Sequence, residues 1–128
     1  MARTAKSKAE RTTVAWILGA DKERDTDVIT PYLLIGVIYE DFDWRPVEAT
    51  TLTREKLPLF SAAREAPGCL NMHSCKRSEL GLVALSPALL QEAEAAGLSV
   101  VISTSAKHRQ VVVVSAADVK RLIEAVGM

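Results

Sequence analysis

The strongest constraint on the fold is a pair of helices whose ends are marked in the sequence, set among short β-branched runs. Ser86 offers an N-cap, Pro87 a first helical residue and Gly97 a stop. Between them Leu89, Leu90, Ala93 and Ala96 form one apolar stripe, while Gln91, Glu92 and Glu94 face the other way. The second helix opens at Ser115-Ala116-Ala117-Asp118, which has capping-box spacing, continues through Val119, Leu122, Ile123 and Val126, and ends at Gly127. The runs Leu80 to Leu85, Val100 to Ile102 and Val111 to Val114 suit buried strands. The last two flank the polar stretch Ser103 to Gln110, which marks a hairpin.

The resulting order is strand–helix–strand–strand–helix. Strand 80–85, helix 87–96 and strand 98–103 follow one another as in a right-handed βαβ unit, so a parallel pairing is expected. Four successive valines leave no polar face at 111–114, so that strand is expected to be covered on both sides. Helix 116–126 supplies one cover; the N-terminal half or a second copy of the chain supplies the other.

The N-terminal half is β-rich and less sharply patterned. Residues 1–11 are small, basic and polar without hydrophobic period, and read as a flexible arm. Val14, Trp16 and Leu18 alternate with Ala15, Ile17 and Gly19, a strand with Trp16 on its buried face. Residues 21–27 form a solvated loop. Residues 32–39 favour a strand over a helix, because Ile35, Val37 and Ile38 are β-branched and Glu40 and Asp41 stand where a helix prefers cations. Residues 44–50 are expected to pair with it through the acidic turn 40–43. Residues 57–66 read as a short helix closed by Pro67-Gly68, and 69–78 as a loop. The whole predicts one small α/β domain over residues 12–128, with α+β as the alternative class. Its C-terminal unit packs against the N-terminal β-rich half.

Composition narrows the class of function. Among 128 residues, 48% are apolar and 25% charged, an ordinary globular mixture. Sixteen Lys and Arg balance sixteen Asp and Glu, so no global field attracts nucleic acid or an anionic membrane. Two cysteines are too few for a disulfide framework. The apolar run Val14 to Ala20 is at the short limit for a signal peptide and meets Asp21-Lys22-Glu23-Arg24 at once. The expected location is therefore the cytoplasm, with no membrane association.

Three groups of residues carry candidate chemistry. Cys69, His73 and Cys75 lie within seven residues, and thiolate and imidazole are the ligands zinc favours, with His108 as a fourth. Their spacing departs from the common zinc knuckles, and the alternative is an ordinary loop. The same trio, near Lys76 and Arg77, offers an activated thiol for a metal- or thiol-dependent enzyme. Lys107, His108 and Arg109 stand at the expected hairpin tip and, with Arg3, Lys6, Lys8 and Arg11, form a candidate nucleic-acid grip. No aromatic residues are interleaved with them, as a single-strand stacking platform requires. Glu40, Asp41 and Asp43 beside Trp44 are the one dense acidic group, and they fit a solvated turn. No catalytic constellation, P-loop or nucleophile elbow stands out. The leading expectation is a non-catalytic binding or accessory protein working through protein–protein contacts, with self-association and no cofactor. A nucleic-acid-binding module is the alternative, and an enzyme centred on Cys69, His73 and Cys75 comes third.

Overall fold

A computed structural model describes residues 2–7, 12–39, 46–65, 77–104 and 107–128. Among them are nine strands and two helices. In chain order these are β1 (Ala2–Ser7), β2 (Thr12–Lys22), β3 (Ile29–Tyr39), β4 (Pro46–Thr51), β5 (Lys56–Leu57), β6 (Leu59–Glu65), β7 (Arg77–Ala84), α1 (Pro87–Ala96), β8 (Leu98–Thr104), β9 (Arg109–Val114) and α2 (Ala116–Val126). They build a five-stranded sheet, β1-β2-β3-β7-β6, and a four-stranded sheet, β5-β4-β8-β9. Every described pairing is antiparallel, so the fold is α+β.

The two sheets are joined along one seam by a single extended segment. Leu57 pairs with Ala49 in the four-stranded sheet, and two residues later Leu59 pairs with Val83 in the other. Pro58 lies at the switch; it has no N–H to give a ladder, and its carbonyl accepts from Ala84 N at 2.9 Å. Residues 59–65, within the span 57–66 expected as a helix, are therefore strand, with β5 just before them. Leu57 and Leu59 both pack against the core, and a spacing of two between inward residues is a strand period, not a helical one.

One core fills the space between the sheets. Val14 and Leu18 of β2, Leu33, Ile35, Val37 and Tyr39 of β3, and Val83 of β7 meet Ala49, Val100, Ile102, Val112 and Val114 from the opposite sheet. Leu90 and Ala93 of α1 and Val119 and Ile123 of α2 close the same cluster, with Trp16 half-buried against it. Each helix begins at the serine that its sequence marks: Ser86 Oγ accepts from Leu89 N at 3.0 Å, and Ser115 Oγ from Asp118 N at 3.2 Å. Gly97 ends α1 with φ 84°, and a Cβ there would lie 2.6 Å from the Val114 carbonyl oxygen. Only glycine lets the helix end approach β9 so closely.

Four further expectations are corrected by this arrangement. Residues 2–7 are strand β1, in register with β2 from Ala2↔Ile17 to Ser7↔Thr12, where a free arm was expected. β4 pairs with β8 and β5, not with β3. β7 and β8 lie in different sheets, so no parallel βαβ unit forms; the ten-residue α1 carries the chain from one sheet to the other. β9 is an edge strand with alternating burial: Val112 and Val114 are in the core, whereas Val111 and Val113 are 46% and 60% exposed. The β8–β9 hairpin forms as expected but with a shorter connection than the polar stretch 103–110 implies, since pairing runs from Leu98↔Val114 to Ser103↔Arg109. No helix among the described residues is long and apolar enough to cross a membrane.

Candidate functional site

Two tight turns of the four-stranded sheet share one construction. In the turn 51–55, Thr51 N donates to Glu55 O at 2.9 Å, Arg54 N to Thr51 O at 3.1 Å, and Glu55 N to Thr51 Oγ1 at 3.2 Å. In 104–108, Thr104 N donates to His108 O at 2.9 Å, Lys107 N to Thr104 O at 3.0 Å, and His108 N to Thr104 Oγ1 at 3.1 Å. The fourth residue of each is left-handed, Arg54 with φ 66° and Lys107 with φ 64°. The buried threonine hydroxyl takes the hydrogen bond that fixes the turn. Lys107 and Arg109 are thereby held exposed at the hairpin tip, with His108 half-buried between them.

Pairing brings several strand ends together within each sheet. β2 begins where β3 ends (Thr13↔Ile38), β3 ends opposite the start of β7 (Tyr39↔Arg77), and β4 begins opposite the end of β8 (Pro46↔Thr104). Arg3 and Lys6 belong to β1, whose last residue, Ser7, pairs with Thr12, the first of β2. Lys8, Arg11, Glu40, Asp41, Asp43, Trp44, Cys69, His73 and Cys75 lie outside the described residues. Among the described residues no group of three or more His, Cys, Asp and Glu side chains is placed to hold a metal. Tyr39 and Glu79 are both buried, Glu79 on the inward side of β7 in register with Val37.

The clefts lined by described residues include two small ones. One of about 220 Å³ lies between β2 and α2, lined by Leu18, Asp118, Arg121, Leu122 and Ala125. The other, of about 200 Å³, lies beside Pro58 and the start of α1. Both are smaller than the pockets that usually enclose a small molecule, roughly 300 Å³ and upward.

The most extensive candidate surface is the outer face of the five-stranded sheet. Strand register sets Ile17, Leu34, Leu82 and Phe60 side by side across β2, β3, β7 and β6. The next row is Ala15, Gly36, Leu80 and Ala63, and on the other side lie Gly19, Tyr32 and Ala84. Ile17 is 43%, Ile38 49% and Phe60 56% exposed, while Leu34, Leu80 and Leu82 are half-buried. The Tyr32 ring lies over Gly19, where a Cβ would come within 2.7 Å of its hydroxyl. Both helices pack on the opposite, core side. A ridge of four large apolar side chains flanked by small residues is a surface shaped for packing, not for solvation.

Reading each strand by its buried half hides this face. Its signal is the lack of alternation in Ala15 to Gly19, Tyr32 to Ile38 and Leu80 to Ala84, where both parities are apolar. Compared with known protein families, curated protein sequences and solved structures, the chain finds no match.

Proposed function

We propose that this chain is a non-catalytic binding protein that works through protein–protein contacts, and that it docks a second copy of itself on the outer face of the five-stranded sheet. The row Ile17–Leu34–Leu82–Phe60 carries the reading. Four strands at about 4.8 Å and four side-chain rows at about 6.8 Å give roughly 500 Å² per copy. Two such faces bury about 1,000 Å², the lower end of what a specific interface needs. Apolar through its central rows, with Glu65 and Lys6 only in the marginal row of Ser78 and Thr13, the face is suited to sheet-on-sheet packing at about 10 Å.

The decisive experiment is sedimentation velocity on the purified chain at micromolar concentration. Wild type is expected to run as a dimer or larger. Ile17→Lys with Phe60→Lys, both at exposed positions, is expected to halve the mass while leaving the far-UV circular dichroism unchanged. Equal masses for wild type and variant would refute this use of the face.

A second reading, nucleic-acid contact, is supported by the rigid presentation of Lys107 and Arg109. Zero net charge leaves any such contact local.

A further inference from the structure

Open sheet edges invite pairing with other chains, and proteins blunt them with charge, bulges, proline or short length. Of the four edges formed by the described strands, three are blunted. β1 includes Arg3 and Lys6 among its six residues. β5 is two residues long and runs into Pro58. β6 carries a bulge between Ser61 and Ala63. β9 has none of these: its sequence is Arg-Gln-Val-Val-Val-Val, regular against β8 throughout, with its single charge at the first position.

We propose that β9 pairs antiparallel with β9 of a second copy, about a two-fold axis at Val112, so that the two four-stranded sheets become one sheet of eight. The inference is independent of the docking face proposed above. It rests on the self-complementarity of the strand. Pairing must set outward residues opposite outward residues, because Val112 and Val114 are fixed in the core of each copy. Centring at Val112 satisfies this and sets Val111 opposite the partner's Val113, and Val113 opposite the partner's Val111. Two exposed valine pairs then form on the outer face, where Val101 already lies in register with Val111. Arg109 falls opposite Ser115 of the partner subunit, so the two arginines never face each other. The outward-directed N–H and C=O groups of both strands gain about six hydrogen bonds across the axis.

The test is a set of variants compared by sedimentation velocity at micromolar concentration: wild type, the edge pair Val111→Lys with Val113→Lys, the face pair Ile17→Lys with Phe60→Lys, and all four together. If both interfaces operate, wild type exceeds a dimer, each pair of substitutions leaves a dimer, and the fourfold variant is a monomer. Should wild type be a dimer that only the edge pair dissociates, edge pairing stands and the face reading fails. A dimer that only the face pair dissociates overturns edge pairing, as does a wild-type monomer. If the lysine variants fail to fold, hydrogen exchange on wild type decides. Half of the β9 amides are expected to be protected at high concentration and to lose that protection on dilution. Exchange at β9 that is independent of concentration overturns the proposal.

Discussion

Arg54 and Lys107 occupy the left-handed position of two turns built alike, and both are predicted to be sites where glycine stabilises the protein. An L-residue in that region places its Cβ against the following carbonyl, at a cost of about 1–2 kcal/mol. Glycine removes the clash but adds about 0.5–1 kcal/mol of backbone entropy to be lost on folding. The difference leaves a net gain of about 0.5–1 kcal/mol for Arg54→Gly and the same for Lys107→Gly. Neither long side chain is buried, so little packing is lost in exchange. The turns lie at opposite ends of the β4–β8 ladder, Thr51 opposite Val100 and Thr104 opposite Pro46. Five residues of strand separate them by about 17 Å, far enough for the two effects to add. The double variant is therefore expected to be about 1–2 kcal/mol more stable than wild type, read as a higher urea midpoint at unchanged slope. Because alanine keeps the Cβ, Arg54→Ala and Lys107→Ala should give no such gain. A double glycine variant less stable than wild type would refute the strain argument.

Other consequences are open to simpler measurements. Ser86→Ala and Ser115→Ala each remove an N-cap acceptor and are expected to cost about 1 kcal/mol in urea unfolding, without changing the fold by circular dichroism. Lys107→Ala with Arg109→Ala is expected to leave the melting temperature nearly unchanged, since both side chains are exposed. If nucleic acid is a ligand, the same pair weakens binding to a duplex or single-stranded probe and flattens its salt dependence; a wild-type chain that binds neither probe at low salt ends that reading.

The sequence was most legible where short-range chemistry decides structure. Ser86, Pro87 and Gly97 bound α1, Ser115 and Gly127 bound α2, and both ends of both helices stand where those residues set them. The β8–β9 hairpin was equally legible, because two β-branched runs around a polar stretch have few other ways to fold. Partition into sheets was not legible. β4 joins β8 across roughly fifty residues of chain, a pairing decided by core packing that no local pattern records. The span 57–66 misled because alanine and charged residues after Leu57 favour a helix, while Pro58 and the tie to β7 hold residues 59–65 extended. Of the candidate site residues, Lys107 and Arg109 were legible as an exposed tip, but the Thr104 hydroxyl that organises it was not.

Uninterrupted apolar runs carry a specific physical demand, and the molecule meets it unevenly. A strand apolar at both parities is stable in water only when both faces are covered. For Val111 to Val114 the inner parity is satisfied by the core, leaving Val111 and Val113 as two exposed side chains on an edge. For β2, β3 and β7 the same demand is multiplied by adjacency. Their inner parity faces the four-stranded sheet and the helices, while their outer parity aligns in register into one continuous apolar row. Three runs that were each unremarkable as buried strands thus become, once paired, a single exposed face. The cost of leaving such a face in water grows with its area, at about 25 cal/mol per Å². For the roughly 500 Å² outline of this face, about 12 kcal/mol is an upper bound on the gross driving force, because Leu34, Leu80 and Leu82 are already half-buried and the entropic cost of association is still to be subtracted. Apolar exposure collected by strand register on one side of a sheet differs from scattered exposure in being contiguous, which is the property the dimer proposed above requires.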